Sequence, residues 1–139
     1  MTNEMNFFQS LLMFESFAPV RMNNDKIKLV NDLADEARNI AAEADIEAQN
    51  GIKAQKVIND TAENKKLRQS FAEIAVWHYE RAAAKYREAV ARFEEVAKMR
   101  LRTKYREHFD KKAKEVASRA AQAATAKNTI NEILNQKEN

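Results

Sequence analysis

The chain has only two imidazoles, His78 and His108, and they limit the chemistry it can do. Metal or acid–base work on a helix needs a partner ligand one turn away. Di-iron bundles supply it as Glu-x-x-His, and zinc proteases as HExxH. Ala75 and Tyr105 stand three residues before the histidines, and HExxH is absent. There is no cysteine, hence no thiolate nucleophile, disulfide or thiolate zinc site. The single glycine, Gly51, builds no phosphate-cradling loop. The few Ser and Thr stand in no nucleophile context. Glu94-Glu95 and Asp35-Glu36 are adjacent carboxylates, but successive helical positions point about 100° apart. They read as solvated faces, and His78, between Trp77 and Tyr79, as a histidine at the core edge. The chain is expected to be non-enzymatic, with no metal and no cofactor.

A different signal comes from the bases. Residues 98–119 hold nine basic and three acidic side chains. The bases are Lys98, Arg100, Arg102, Lys104, Arg106, Lys111, Lys112, Lys114 and Arg119. Glu94/Lys98, Glu107/Lys111, Asp110/Lys114 and Glu115/Arg119 have the acid-before-base spacing that supports a helix. Lys98/Arg102, Arg100/Lys104 and Arg102/Arg106 are like charges at the same spacing, which is mildly destabilising. Something must compensate them: an internal acid such as Asp25, Asp32 or Asp35, an acidic partner, or a phosphate backbone. Against nucleic acid, these bases spread around the helix rather than along one stripe, and no DNA- or RNA-binding signature accompanies them.

The elements that must position these residues are helices. One Gly, one Pro (Pro19) and few β-branched residues leave little turn chemistry for strands. The expected fold is all-α: an elongated antiparallel helical hairpin or three-helix bundle with coiled-coil-like packing and a short N-terminal amphipathic helix. A length of 139 residues fits one domain, 1–139.

The short helix is expected over 4–17, stopped by Pro19. It carries Phe7, Phe8, Leu11, Leu12, Phe14 and Phe17, an apolar surface that needs a cover. Those six residues are the predicted partner or oligomer contacts. The segment is too short to span a bilayer and lacks a basic leader region, so a membrane partner is not expected and a cytoplasmic setting is.

Asn23-Asn24-Asp25 signals a helix start. Ile27, Val30, Ala34, Ala37, Ala41, Ala44, Ala48 and Gly51 then recur at steps of three and four, an a/d seam of small residues. The spacing predicts one helix over 25–64, with Gly51 a weak spot costing about 1 kcal/mol against Ala. A turn at Asn64-Lys65-Lys66 leads to a second, central helix over 67–108, whose row is Tyr79, Ala82, Tyr86, Ala89, Phe93 and Val96. Large residues then oppose small ones across an αα-hairpin. Residues 1–63 carry a net charge of −5 and residues 64–139 of +8. Level positions in the hairpin put Glu43, Asp45 and Glu47 beside Arg87, Lys85 and Arg81. A third row, Phe109, Ala113, Val116, Ala120, Ala123, Lys127, Ile130 and Leu134, predicts a helix over 110–136 that folds back. A straight continuation from 67 to 136 is the alternative.

The expected function is protein–protein contact in a structural, adaptor or assembly role, with a homo-oligomer as partner. The alternatives are nucleic-acid binding through 98–119, and regulation or inhibition of a larger host or phage complex.

Overall fold

The small-residue seam is buried along its length. Ile27, Val30, Ala34, Ala37, Ala41, Ala44 and Gly51 all lie below the surface, and Ala48 is half-buried. A computed structural model of the protein describes residues 24–61, 63–99 and 101–136. It is an all-α bundle of three helices: α1 (Asn24–Asp60), α2 (Lys65–Ala97) and α3 (Thr103–Gln136). They hold 37, 33 and 34 residues, matched lengths of roughly 50–55 Å at 1.5 Å per residue. The N-terminal segment expected as a helix over 4–17 lies outside the described residues.

The second helix is the central one. α1 and α3 each pack along it, and the largest core joins residues from all three. Tyr86, Phe93 and Val96 of α2 share that core with Val30, Ala34, Ala37, Ala41 and Ala44 of α1. On α3 the predicted row is buried at Phe109, Ala113, Val116, Ala120, Ala123 and Ile130. A second cluster gathers Ala54, Ile58, Ala72, Ala75, Tyr79 and Ile130 toward the α1–α2 turn. Small residues opposite aromatics let two helix backbones approach closely while the rings fill the space between them.

The helix ends differ from the sequence expectation. α1 stops at Asp60 rather than 64, because Thr61 closes its last turn. Both its N–H (2.9 Å) and its Oγ1 (2.6 Å) donate to the Val57 carbonyl. Asn64 is then an N-cap for α2, its side-chain oxygen accepting from the Leu67 N–H at 3.1 Å.

The larger correction concerns the expected helices 67–108 and 110–136. α2 ends at Ala97 and α3 begins at Thr103, so the chain reverses within the basic run and not at Asp110. Lys98 and Met99 donate backbone N–H bonds to Glu94 and Val96 at 3.0 Å, and Leu101 donates to the Met99 carbonyl at 2.8 Å. Leu101 and Phe109 are both 0% exposed. Complete burial of such side chains is worth about 1.5–3 kcal/mol each. A straight helix would forfeit that burial and keep like charges stacked at Lys98/Arg102 and Arg100/Lys104. Reversal removes both spacings from a continuous helix.

Candidate functional site

Two surfaces carry the chemistry the sequence pointed to, and a third emerges from the packing. The first surface is the α1–α2 seam edge. His78 is half-buried, and its Nδ1 lies 2.8 Å from Glu47 Oε2. Arg81 Nε approaches the same carboxylate oxygen at 3.6 Å. The hydrogen bond with His78, and then the charges of Arg81 and His78, hold the Glu47 carboxyl below its usual range against an opposing desolvation. Further along, Lys85 donates to Glu43 at 2.9 Å and Arg92 to Glu36 at 3.1 Å. This ladder ties α1 to α2.

On the opposite edge Tyr86 donates its hydroxyl to Asp45, which also faces Arg119 at 3.6 Å. Burial, and then the Asp45 carboxylate, push the Tyr86 hydroxyl pKa well above its ordinary value. Asp45 therefore bridges all three helices. Among the described residues, no group of three or more His, Asp or Glu side chains could hold a metal ion. No described helix is long and apolar enough to cross a membrane.

The second surface is the basic turn. Lys98 caps the C-terminus of α2, and Arg102 and Lys104 are exposed around the start of α3. Arg106 donates to the Leu101 carbonyl at 3.3 Å, which braces the turn. Lys111 is exposed on α3. Lys112 pairs with Glu115 (3.5 Å), Lys114 with Asp110 (3.2 Å), and Arg119 with Asp45 across the bundle. The predicted site thus divides. Its C-terminal part includes bases paired with the protein's own acids, and Lys98 and Lys104 are exposed on either side of the α2–α3 turn. Arg100 lies outside the described residues. So do the predicted contacts Phe7, Phe8, Leu11, Leu12, Phe14 and Phe17.

The third surface was not singled out from sequence. The α2 side chains His78, Lys85 and Arg92 reach α1, while Glu80 reaches Lys127 of α3 at 3.9 Å. Between these two edges runs an outer face covered by neither helix. Trp77 (53% exposed), Ile74 (43%) and Leu67 (40%) stand on or beside it. Arg81 stacks on the Trp77 ring at 4.6 Å from the centroid, and the His78 ring meets it edge-on at 4.9 Å. Ser70, Glu73, Ile74, Trp77 and His78 line an open depression there. A signal was present: Trp77 is absent from the row Tyr79, Ala82, Tyr86, Ala89, Phe93, Val96. At two positions before Tyr79 it must point about 200° away from that residue.

No protein-family model, no curated protein and no solved structure matches this chain.

Proposed function

We propose that this chain is a non-enzymatic helical protein that acts through protein–protein contacts in a structural, adaptor or assembly role, with self-association as its basic mode. The observation that carries this reading is the exposed row Leu67, Ile74 and Trp77 on the central helix. Large apolar and aromatic side chains on a rigid helix are the usual anchors of a protein interface, and Trp and Arg lead that list. The rigid setting supports the same role, because α2 is fixed on two sides and presents its third without reorganisation. Heptad spacing of the seams supports coiled-coil-like packing. A cytoplasmic setting belongs to the same reading, and the cysteine-free composition is compatible with it.

The test is site-specific photo-cross-linking from a photoreactive amino acid at position 77 in the native cell, followed by mass spectrometry. A defined protein adduct, this chain or another, is expected. Adducts to nucleic acid alone overturn the reading.

A second reading has one observation in its favour: Lys98 and Lys104 are both exposed, on either side of the α2–α3 turn. A nucleic-acid backbone would find cations there, and affinity would fall steeply with salt. Exchange of Arg100, Arg102 and Arg106 for Glu should then abolish retention on DNA and RNA. Unchanged retention, or none in the wild type, removes this reading.

A further inference from the structure

The outer face of α2 has an order that its apolar row alone does not explain. Lys66, Glu73, Trp77, Arg81 and Glu88 are all exposed. At 100° per residue they fall within about 80° of one another, on a stripe whose one edge, Arg81, also reaches Glu47 of α1. Ser70 and Ala84, small and exposed, lie on the same stripe. The stripe reads as its own charge-reversed mirror about Trp77. Glu73 and Arg81 stand four residues either side of it, and Lys66 and Glu88 eleven residues either side. Ser70 and Ala84 stand seven either side, where a facing helix needs room.

An antiparallel copy of the same helix, related by a two-fold axis through Trp77, makes every one of these relations complementary. Each Glu73 falls level with the other chain's Arg81, each Lys66 with the other's Glu88, and each Ser70 with the other's Ala84. A parallel copy would instead set like charges level. A two-fold contact is self-complementary by necessity, and this stripe meets that requirement at three pairs and a central aromatic.

We propose that the outer face of α2 pairs with a second copy of this chain in an antiparallel, two-fold contact centred on Trp77. The proposal rests on the protein-contact reading above and names its partner. Trp77 of each chain supplies the apolar centre. Glu73–Arg81 pairs flank it, and Lys66–Glu88 pairs close the ends. Arg81 is already held against the Trp77 ring, with its Nε also 3.6 Å from Glu47, so the incoming Glu73 would share a guanidinium that is fixed in place. One helix pair is a small interface, so the dimer should dissociate on the order of micromolar concentration.

The experiment is sedimentation velocity on the full chain across that concentration range, with circular dichroism to confirm folding. The wild type should pass from monomer to dimer with concentration, and the sole tryptophan's emission should shift to the blue as it does. Glu73→Arg alone and Arg81→Glu alone should each weaken the dimer at least tenfold. An equimolar mixture of the two variants should recover it, because the mixed pair restores opposite charges at both positions. Because Arg81 also touches Glu47, the same mixing test with Lys66→Glu and Glu88→Lys guards against a local packing fault. A wild type that stays monomeric overturns the pairing. So does an oligomer indifferent to Glu73→Arg, or mixtures that remain monomeric. If position 77 still cross-links a different protein, self-pairing is lost while the contact reading stands.

Discussion

Gly51 lies against the ring of Tyr79 so closely that a Cβ at position 51 would stand 2.9 Å from Cδ1 and Cε1. Real side chains essentially never come that close, so the glycine is a seat and not a flaw in α1. Tyr79 cannot easily yield, because it is buried and its hydroxyl donates to Gln55 at 2.7 Å. Gly51→Ala should therefore destabilise the protein by about 1–3 kcal/mol through overpacking, despite a helix-propensity gain of about 1 kcal/mol. Urea unfolding measures it. In a Tyr79→Leu background, where the ring is gone, the same change should become neutral or stabilising. Destabilisation of equal size in both backgrounds would count against the seat.

Leu101 carries the reversal between α2 and α3. It is fully buried beside Phe109, whose ring lies 6.5 Å from that of Phe93. Leu101→Ala should cost about 2–5 kcal/mol, the range for a buried leucine that leaves a cavity. Thermal or urea denaturation checks it. A cost below about 1 kcal/mol would mean that the turn is held by its backbone bonds alone.

Acid should weaken the bundle at the seam edge. The Glu47 carboxyl is held below its ordinary 4.5 by its hydrogen bond with His78 and by Arg81. A carboxylate depressed in the folded state contributes stability that is present above its unfolded pKa and lost as pH falls through the folded value. Glu47→Gln should flatten the stability profile below about pH 4.5.

His108 adds a separate step nearer neutrality. Desolvation, and then Lys112, Arg38 and Lys111, lower its pKa from the ordinary 6.5. The unfolded chain binds the proton first, so stability is full above that value and declines as pH falls through the interval. His108→Gln should remove this decline while the Glu47 step remains, which denaturation at closely spaced pH values would separate.

Alkali should act through the tyrosines. Burial raises the Tyr79 hydroxyl, and burial together with Asp45 raises Tyr86. Stability from these groups is fully present below the unfolded value of 10.0 and is lost as pH rises toward the folded ones. Tyr86→Phe should shift the alkaline unfolding limb upward in pH. At neutral pH it should cost about 1 kcal/mol for the lost hydrogen bond to Asp45.

The sequence by itself determined the class of fold and the buried rows. Steps of three and four placed Ile27, Val30, Ala34 and their successors on one face, and likewise Tyr79 to Val96 and Phe109 to Ile130. Such periodicity is a local property of each helix, readable without knowing its neighbour. It also matched Glu47 with Arg81, and Asp110 with Lys114. What it could not fix was direction around the axis. By height alone Glu43 faces Arg87 and Asp45 faces Lys85. In the bundle Glu43 meets Lys85, and Asp45 meets Tyr86 and Arg119. Arg87 is turned toward α3, where it shares a depression with Val90 and Ala120. Which azimuth of α2 stays open, and so exposes Trp77, depends on where α3 sits. That in turn depends on the chain reversing at 98–102, with no glycine or proline to mark the spot. Only the tertiary structure decided it, because the reversal buries Leu101 in a core shared with residues far away in the chain. The same packing turned Gly51 from a weak point in a helix into the space that a tyrosine ring requires.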